Sequence, residues 1–287
     1  EAQRIAVIYS QFMDQDHLDH LGAAPIHPLL ESIEQAESHE ALAEVMGHLA
    51  RAGVDGIFSL GVQADLNDTA KYAVFFDQDG LGLPDESYYR EPEYEAYRDK
   101  YVAHVARILE LTGVATKASA PHAATEVMEF ETYLAGHHWD VVRTRDIAAI
   151  NNPKTWVELQ EDAPGFNWVD WARGLDFDLS DKPLLVMQPD FMADAGALWK
   201  RTHLHTLKFW LARAVSDGFA AYLSQEIAEE SFDFYGRTLS GIEEMRPRWK
   251  RAMSLVESLV GFDLGRLYVE RNFPAEYKDR MQHLVQN

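Results

Sequence analysis

Apolar residues recur every three or four positions through nearly all of this 287-residue chain, and the recurrence is cut repeatedly by Gly and Pro. A polypeptide patterned in this way can bury its apolar stripes only by packing helices against one another. One stretch follows a different period. Phe58, Leu60, Val62 and Ala64 alternate with smaller or polar residues, Asn67-Asp68 supplies turn chemistry, and Tyr72-Ala-Val-Phe-Phe76 is β-rich. The expected fold class is therefore mainly α, a large multi-helix domain with one small β-hairpin near residues 57–77.

The helical segments can be placed along the chain. Ile5, Ile8, Phe12 and Met13 mark a helix over residues 1–15, and Pro28 begins another that runs to about Ala52. Within the latter, Ser38 can cap a fresh segment whose stripe is Leu42, Val45, Met46 and Leu49, before Gly53-Val-Asp-Gly56 ends it. Tyr97, Tyr101, Val105, Ile108 and Leu109 share one side of a helix from Glu93 to Thr112, stopped by Gly113. Pro121 to His138 forms the next, with Val127, Phe130 and Leu134 as its apolar side. Asn167 caps a short helix after Pro164-Gly165, and Leu184 to Pro189 reads as a short extended segment. Helices over roughly 192–200, 203–225, 242–261 and 264–271, and a last one introduced by Phe273-Pro274, complete a chain without repeats or flexible linkers.

Composition removes several function classes. Lys and Arg number 26 against 47 Asp and Glu, and the resulting charge of -21 repels phosphate backbones and anionic lipid, so nucleic acid is excluded as a partner. The absence of Cys eliminates disulfides, thiolate nucleophiles and Cys-based zinc sites together. No apolar run reaches the roughly 18 residues that a membrane-spanning helix needs, and the first residues do not form a signal peptide. The chain opens directly in a helix, which marks an excision or processing boundary and leaves cytoplasmic and exported locations equally open.

Catalytic constellations are also missing. Zinc hydrolysis needs two imidazoles one helical turn apart and an adjacent Glu, yet of the 12 His only His39 is followed by Glu, and Ala43 stands where the second ligand would be. His17 and His20 are one turn apart among Asp14, Asp16 and Asp19 but lack a defined third ligand, and read as an exposed helix-end charge cluster. His137-His138 point in different directions, and His203 and His205 form a helix-start cluster. The carboxylate pairs Glu129/Glu131, Glu229/Glu230 and Glu243/Glu244 read as solvated faces. Ser10, Ser59, Ser224 and Ser240 sit in no nucleophile elbow, and Gly80-Leu-Gly-Leu-Pro lacks the Lys of a phosphate loop. No catalytic and no metal-ligating residue is assigned. The cluster Arg246-Pro-Arg248-Trp249-Lys250-Arg251 reads as structural, its cations pairing with Glu243 and Glu244 and Trp249 serving as a core anchor or cation–π face.

Two blocks then point to a family. Phe234-Tyr-Gly-Arg-Thr-Leu-Ser-Gly-Ile-Glu-Glu-Met-Arg-Pro-Arg-Trp-Lys250 and Leu264-Gly-Arg-Leu-Tyr-Val-Glu-Arg-Asn-Phe-Pro274 resemble the end of the large helical domain of neprilysin-type zinc metallopeptidases, the family of neprilysin and endothelin-converting enzyme. Gly80-Leu-Gly-Leu-Pro-Asp-Glu-Ser-Tyr-Tyr89 resembles the loop after that family's hairpin, and the stretch from Phe130 through Arg145-Asp146 to Asn151-Asn152 resembles its E-x-x-L-A … R-D … Y-N pattern, with Asn151 in place of Tyr. The family signature comprises Arg145, Asp146, Phe234, Tyr235, Gly236, Gly241, Pro247, Arg248, Trp249, Gly265, Tyr268, Phe273 and Pro274. The resemblance implies that residues 1–287 are a single helical lid domain of a two-domain metalloendopeptidase whose catalytic zinc domain lies outside this chain. It further implies zinc in the parent protein and none here, the catalytic domain and peptide substrates as partners, and a chamber that admits only peptides. The lack of Cys implies a bacterial relative. Two other readings stay open at this stage: a free-standing acidic peptide-binding module without hydrolytic activity, and an unrelated helical enzyme using His17 and His20.

Overall fold

A computed structural model describes residues 1–54, 56–273 and 275–286, which divide into two units, one of Leu21–Gly241 and one of Glu1–His20 with Ile242–Asn287. The fold class is mainly α with a few strands, as the periodicity implies.

In the larger unit the hairpin forms where alternation placed it. Strand β1, Phe58–Ala64, runs antiparallel to β2, Tyr72–Gln78, in register from Phe58↔Gln78 to Ala64↔Tyr72. Two further strands extend it. β3, Pro153–Lys154, and β4, Leu184–Val186, complete the order β1-β2-β4-β3, with β4 parallel to β2 and antiparallel to β3. β4 is the extended segment expected before Pro189. β3, with its two residues, is too short to show any period.

The helix expected from Pro28 to Ala52 divides into His27–Gln35 and His39–Arg51. Ser38 adopts an extended backbone and its hydroxyl accepts the Ala41 N–H at 3.2 Å, so the second segment is capped as its sequence anticipates. Asn167 precedes the Trp168–Leu175 helix but makes no side-chain cap; its carbonyl oxygen instead accepts the Trp199 indole N–H at 3.1 Å. Glu95–Leu111, Ala120–Ala135 and Leu204–Phe219 pack mutually. The single helix expected over 203–225 ends at Phe219, because Leu223 and Ser224 turn extended before Gln225–Ser231 begins. Phe232–Leu239 then winds as a π-helix, a geometry that no period in the sequence announces.

Aromatic side chains fill the centre of this unit. Phe58 stacks on Trp168 at 4.9 Å and meets Phe166 and Trp171 edge-on, joining the sheet to the helices beneath it. The His39–Arg51 and Trp168–Leu175 helices approach so closely that only glycine fits at the crossing. A Cβ on Gly47 would lie 2.1 Å from the Trp171 carbonyl oxygen, and one on Gly174 would lie 1.9 Å from that of Glu44.

In the smaller unit Ala2–Met13 packs along Arg248–Asn272. Arg4 pairs with Asp263 at 3.2 Å and Arg266 with Glu1 at 2.9 Å. The two helices expected over 242–261 and 264–271 are one run with a kink at Val260, where φ is −138° and ψ 33°. Its start shifts to Arg248 because Pro247 is extended, with ψ 140°, and biases Arg246 away from helix. Ala275–Gln286 closes the unit.

The crossing yields a prediction. Gly174→Ala forces two backbones apart and should lower stability by roughly 3 kcal/mol, whereas Gly265→Ala, in open space on an exposed helical turn, should raise it by up to about 1 kcal/mol. Urea unfolding of both variants measures the contrast.

Candidate functional site

Glu131 sits on the apolar stripe of its helix, four residues after Val127 and three before Leu134, and is fully buried. The reading of Glu129/Glu131 as a solvated face is thereby corrected for Glu131. A buried carboxylate requires partners, and it has four donors. One oxygen accepts Arg213 Nη2 at 2.7 Å and the Tyr101 hydroxyl at 3.0 Å; the other accepts the Tyr89 hydroxyl at 2.7 Å and the Gly82 N–H at 3.2 Å. Gly82 is required there, since a Cβ would fall 1.8 Å from the Tyr101 hydroxyl oxygen. Tyr89 in turn accepts the N–H of Gly82 and of Leu83, so the Gly80–Tyr89 loop is bound to the helices at several points.

From Arg213 the polar chain continues outward. Its Nη1 lies 3.8 Å from Asp217, whose carboxylate also accepts the Tyr235 hydroxyl at 2.9 Å and His104 Nε2 at 3.0 Å. His104 Nδ1 faces Glu230 at 3.0 Å. Both ring nitrogens thus face carboxylate oxygens and both must donate, which only the imidazolium can do. Burial opposes that charge, but the hydrogen bonds and charges of Asp217 and Glu230 exceed it and raise the His104 pKa to about 9. Burial first, and then the charge of a neighbouring carboxylate, pushes Tyr89 and Tyr235 well above the ordinary tyrosine range. Phe234 lies flat against the imidazole at 5.0 Å. Glu230, only about a quarter exposed, is likewise no member of a solvated pair.

This arrangement holds elements together and has no acid–base function. A general acid or base must reach a substrate, and Glu131 is both inaccessible and saturated with donors. Among the described residues no group of three His, Asp or Glu is arranged to hold a metal ion. Zinc therefore finds no fitting donor set in them. His17 and His20 are exposed, and the His17 N–H is bonded to Asp14. His203 stands at the start of the Leu204–Phe219 helix, stacked with His205, as read from the sequence. His122 and His205 each place Nε2 at 3.0 Å from Glu126, aimed at its carboxylate oxygens.

With no donor set for zinc and a core fastened by ionic bonds, comparison with known proteins decides the family. The sequence profile for the N-terminal domain of peptidase family M13 matches residues 1–287. This chain belongs to peptidase family M13. It is 24% identical to endothelin-converting enzyme 1 of Cavia porcellus over 99% of its own length and 39% of that protein's. Among solved structures, the zinc metalloprotease Zmp1 of Mycobacterium tuberculosis in its open state superimposes with a TM-score of 0.92 at 38% identity, covering 97% of this chain and 43% of that one. PepO of Lactobacillus rhamnosis shares the fold, with a TM-score of 0.81 at 18% identity over 98% of this chain and 45% of that one. The chain thus spans about two fifths of the length of these M13 relatives.

The M13 signature residues fall in three places. Phe234 and Tyr235 belong to the ionic chain just described, and Gly236 is buried against the Phe232 ring. Gly241 takes φ +66°, and Asp146 caps the short Ile147–Ile150 helix by accepting the N–H of Ala148 and Ala149, while Arg145 is exposed. In the smaller unit Pro247 precedes the long helix, and Arg248 donates through Nε to the Phe12 carbonyl at 2.7 Å with its guanidinium over the Phe12 ring. Trp249 is about half exposed with Lys250 over its ring, so it is a cation–π face and no core anchor. Arg248 and Arg251 direct their Nε atoms to the carbonyls of Phe12 and Arg246, where pairing with Glu243 and Glu244 was expected. Gly265 and Tyr268 are exposed and Phe273 packs against Tyr277. Pro274 lies outside the described residues.

His104, Glu131, Arg213, Asp217 and Glu230 were missed as a set by sequence reasoning. A signal existed, because His104 follows Tyr101 by three and precedes Ile108 by four, on the apolar side of its helix, as Glu131 does on its own.

Two outcomes test the network. Glu131→Gln leaves the buried Arg213 charge without its counter-ion and should cost roughly 3–5 kcal/mol in urea unfolding. His104, raised from 6.5 to about 9 in the folded chain, contributes stability that is complete below pH 6.5 and lost as pH rises through about 9. That contribution is about 3 kcal/mol, and His104→Gln should flatten the pH dependence between those limits.

Proposed function

We propose that this chain is the non-catalytic helical portion of a neprilysin-like zinc metalloendopeptidase, a wall that encloses the reaction chamber and restricts substrates to peptides. The observation that carries this reading is a conjunction: the M13 profile extends over residues 1–287, while the described residues hold no donor set for zinc. Hydrolysis by zinc-activated water, in which a Glu takes the proton and the metal polarises the carbonyl, belongs to the peptidase portion of the family, and no residue of this chain takes a step in it. The contribution of this chain is positional. A wall that excludes bulk water and folded proteins limits what can reach the metal and in what orientation.

Two features support the assignment. The ionic chain from Glu131 to Glu230 fastens the post-hairpin loop and successive helices into one stiff body, as a size filter requires. The smaller unit exposes large apolar side chains, including Leu259, Tyr268 and the fully exposed Phe262, which offer a seat for the peptidase portion. Zmp1 has been observed in an open state and in complex with an inhibitor, with TM-scores of 0.92 and 0.90 to this chain. The same stiff body persisting while an enclosure opens is what the lid reading requires. The family's zinc dependence and the bacterial origin of Zmp1 and PepO fit a bacterial parent enzyme.

Purified alone, the 287-residue chain should contain no stoichiometric zinc by atomic emission and should leave a short quenched fluorogenic peptide intact. The full gene product should cleave that peptide in a chelator-sensitive manner and spare folded proteins. Chelator-sensitive cleavage by the isolated chain, or cleavage of folded proteins by the full product, would overturn the reading.

A further inference from the structure

We propose that the outer edge of β1 binds an extended basic peptide as an additional strand, through main-chain hydrogen bonds to Leu60, Val62 and Ala64. The proposal goes beyond the lid reading, which gives this chain exclusion and no direct hold on a substrate.

The pairing pattern decides which backbone groups are free. Asp79 N–H donates to the Ile57 carbonyl and Asp65 N–H to the Lys71 carbonyl, each at a position where the β1–β2 register continues. Odd-numbered residues of β1 therefore form the hydrogen-bonded pairs with β2, and the N–H and C=O of Leu60, Val62 and Ala64 turn away from the ladder. β1 is the end strand of the order β1-β2-β4-β3. Among the described residues, no hydrogen bond reaches those outward groups.

Edge strands are ordinarily protected by Pro, charge or a bulge. β1 has none of these. Its seven residues, Phe-Ser-Leu-Gly-Val-Gln-Ala, pair one-to-one with β2 without interruption and include neither Pro nor a charged side chain. Val62 is 59% exposed, and a Cβ built on Gly61 would meet nothing nearer than the Gln63 side-chain nitrogen at 3.8 Å. The strand is thus open beside and above its centre, where a second backbone would lie.

Charge selects the occupant. Asp65 and Asp68 follow the C-terminal end of β1, and Asp77 pairs with Ser59 near the other end, with Asp79 just beyond. Lys71 is engaged with Asp68 at 3.0 Å. Carboxylates at both ends favour a peptide carrying Lys or Arg. A second copy of this chain, itself at -21, is repelled.

The test uses the 287-residue chain labelled with ¹⁵N and an acetylated, amidated peptide of alternating Lys and Val, matched in length to β1. Peptide addition should shift the amide resonances of residues 58–64 and produce cross-strand NOEs to them. A peptide with backbone N-methyl groups on one edge should bind roughly tenfold more weakly or not at all, since it lacks the donors. Val62→Pro removes only an outward N–H and leaves the β2 ladder intact, so it should weaken binding by about tenfold without changing the circular dichroism melt. Equal binding of the N-methylated peptide, shifts confined to other residues, absence of binding, or dimerisation through β1 would each overturn the proposal. The measurement involves no hydrolysis, so its outcome is separate from that of the lid reading.

Discussion

The larger unit depends on the contact between Arg213 and Glu131, two charges from different helices that share an interior from which water is excluded. Removing both from water costs several kcal/mol for each, and their mutual attraction offsets that cost only because Tyr89, Tyr101 and the Gly82 N–H complete the carboxylate. An ion pair with this many attachments has little freedom in its geometry. The Gly80–Tyr89 loop, the helices on either side of it and the π-helical Phe232–Leu239 segment are all positioned with respect to one carboxylate and its extension to His104.

That rigidity has a functional counterpart. A wall of a reaction chamber has to keep its shape while the enclosure around it opens and closes, and directional bonds between buried charges resist shear better than an apolar core that can repack. The same chemistry explains why Phe234 and Tyr235 stand in a signature shared with M13 relatives while taking no catalytic step: Phe234 covers the His104 imidazolium, and Tyr235 donates to Asp217. The π-helical turn is how adjacent aromatic residues both reach the network.

Much of the molecule was legible from local pattern. The hairpin followed from alternation at Phe58 to Ala64, the Ser38 cap from its place before an apolar stripe, and the extended segment at Leu184 from the Pro that follows it. The misread elements share one cause. β3 forms because β4 offers it an edge, the helix after Phe219 breaks because the chain must turn toward Glu95–Leu111, and the long terminal helix remains continuous through Val260 because Ala2–Met13 lies along it. None of these partners is local.

The amino-acid order by itself determined the helical character, the single alternating stretch, the absence of a zinc-binding helix motif, and the ordered blocks that mark the family, because each is a matter of spacing within a few residues of one another. Only the tertiary structure decided which acidic residues are interior charges and which are solvated. Glu129 and Glu131 differ by two positions and are indistinguishable in composition, yet one is exposed to water and the other meets a guanidinium contributed by a residue 82 positions away. Whether a carboxylate is a surface group or a fastener depends on what the fold brings opposite it, and that is a property of long-range contact.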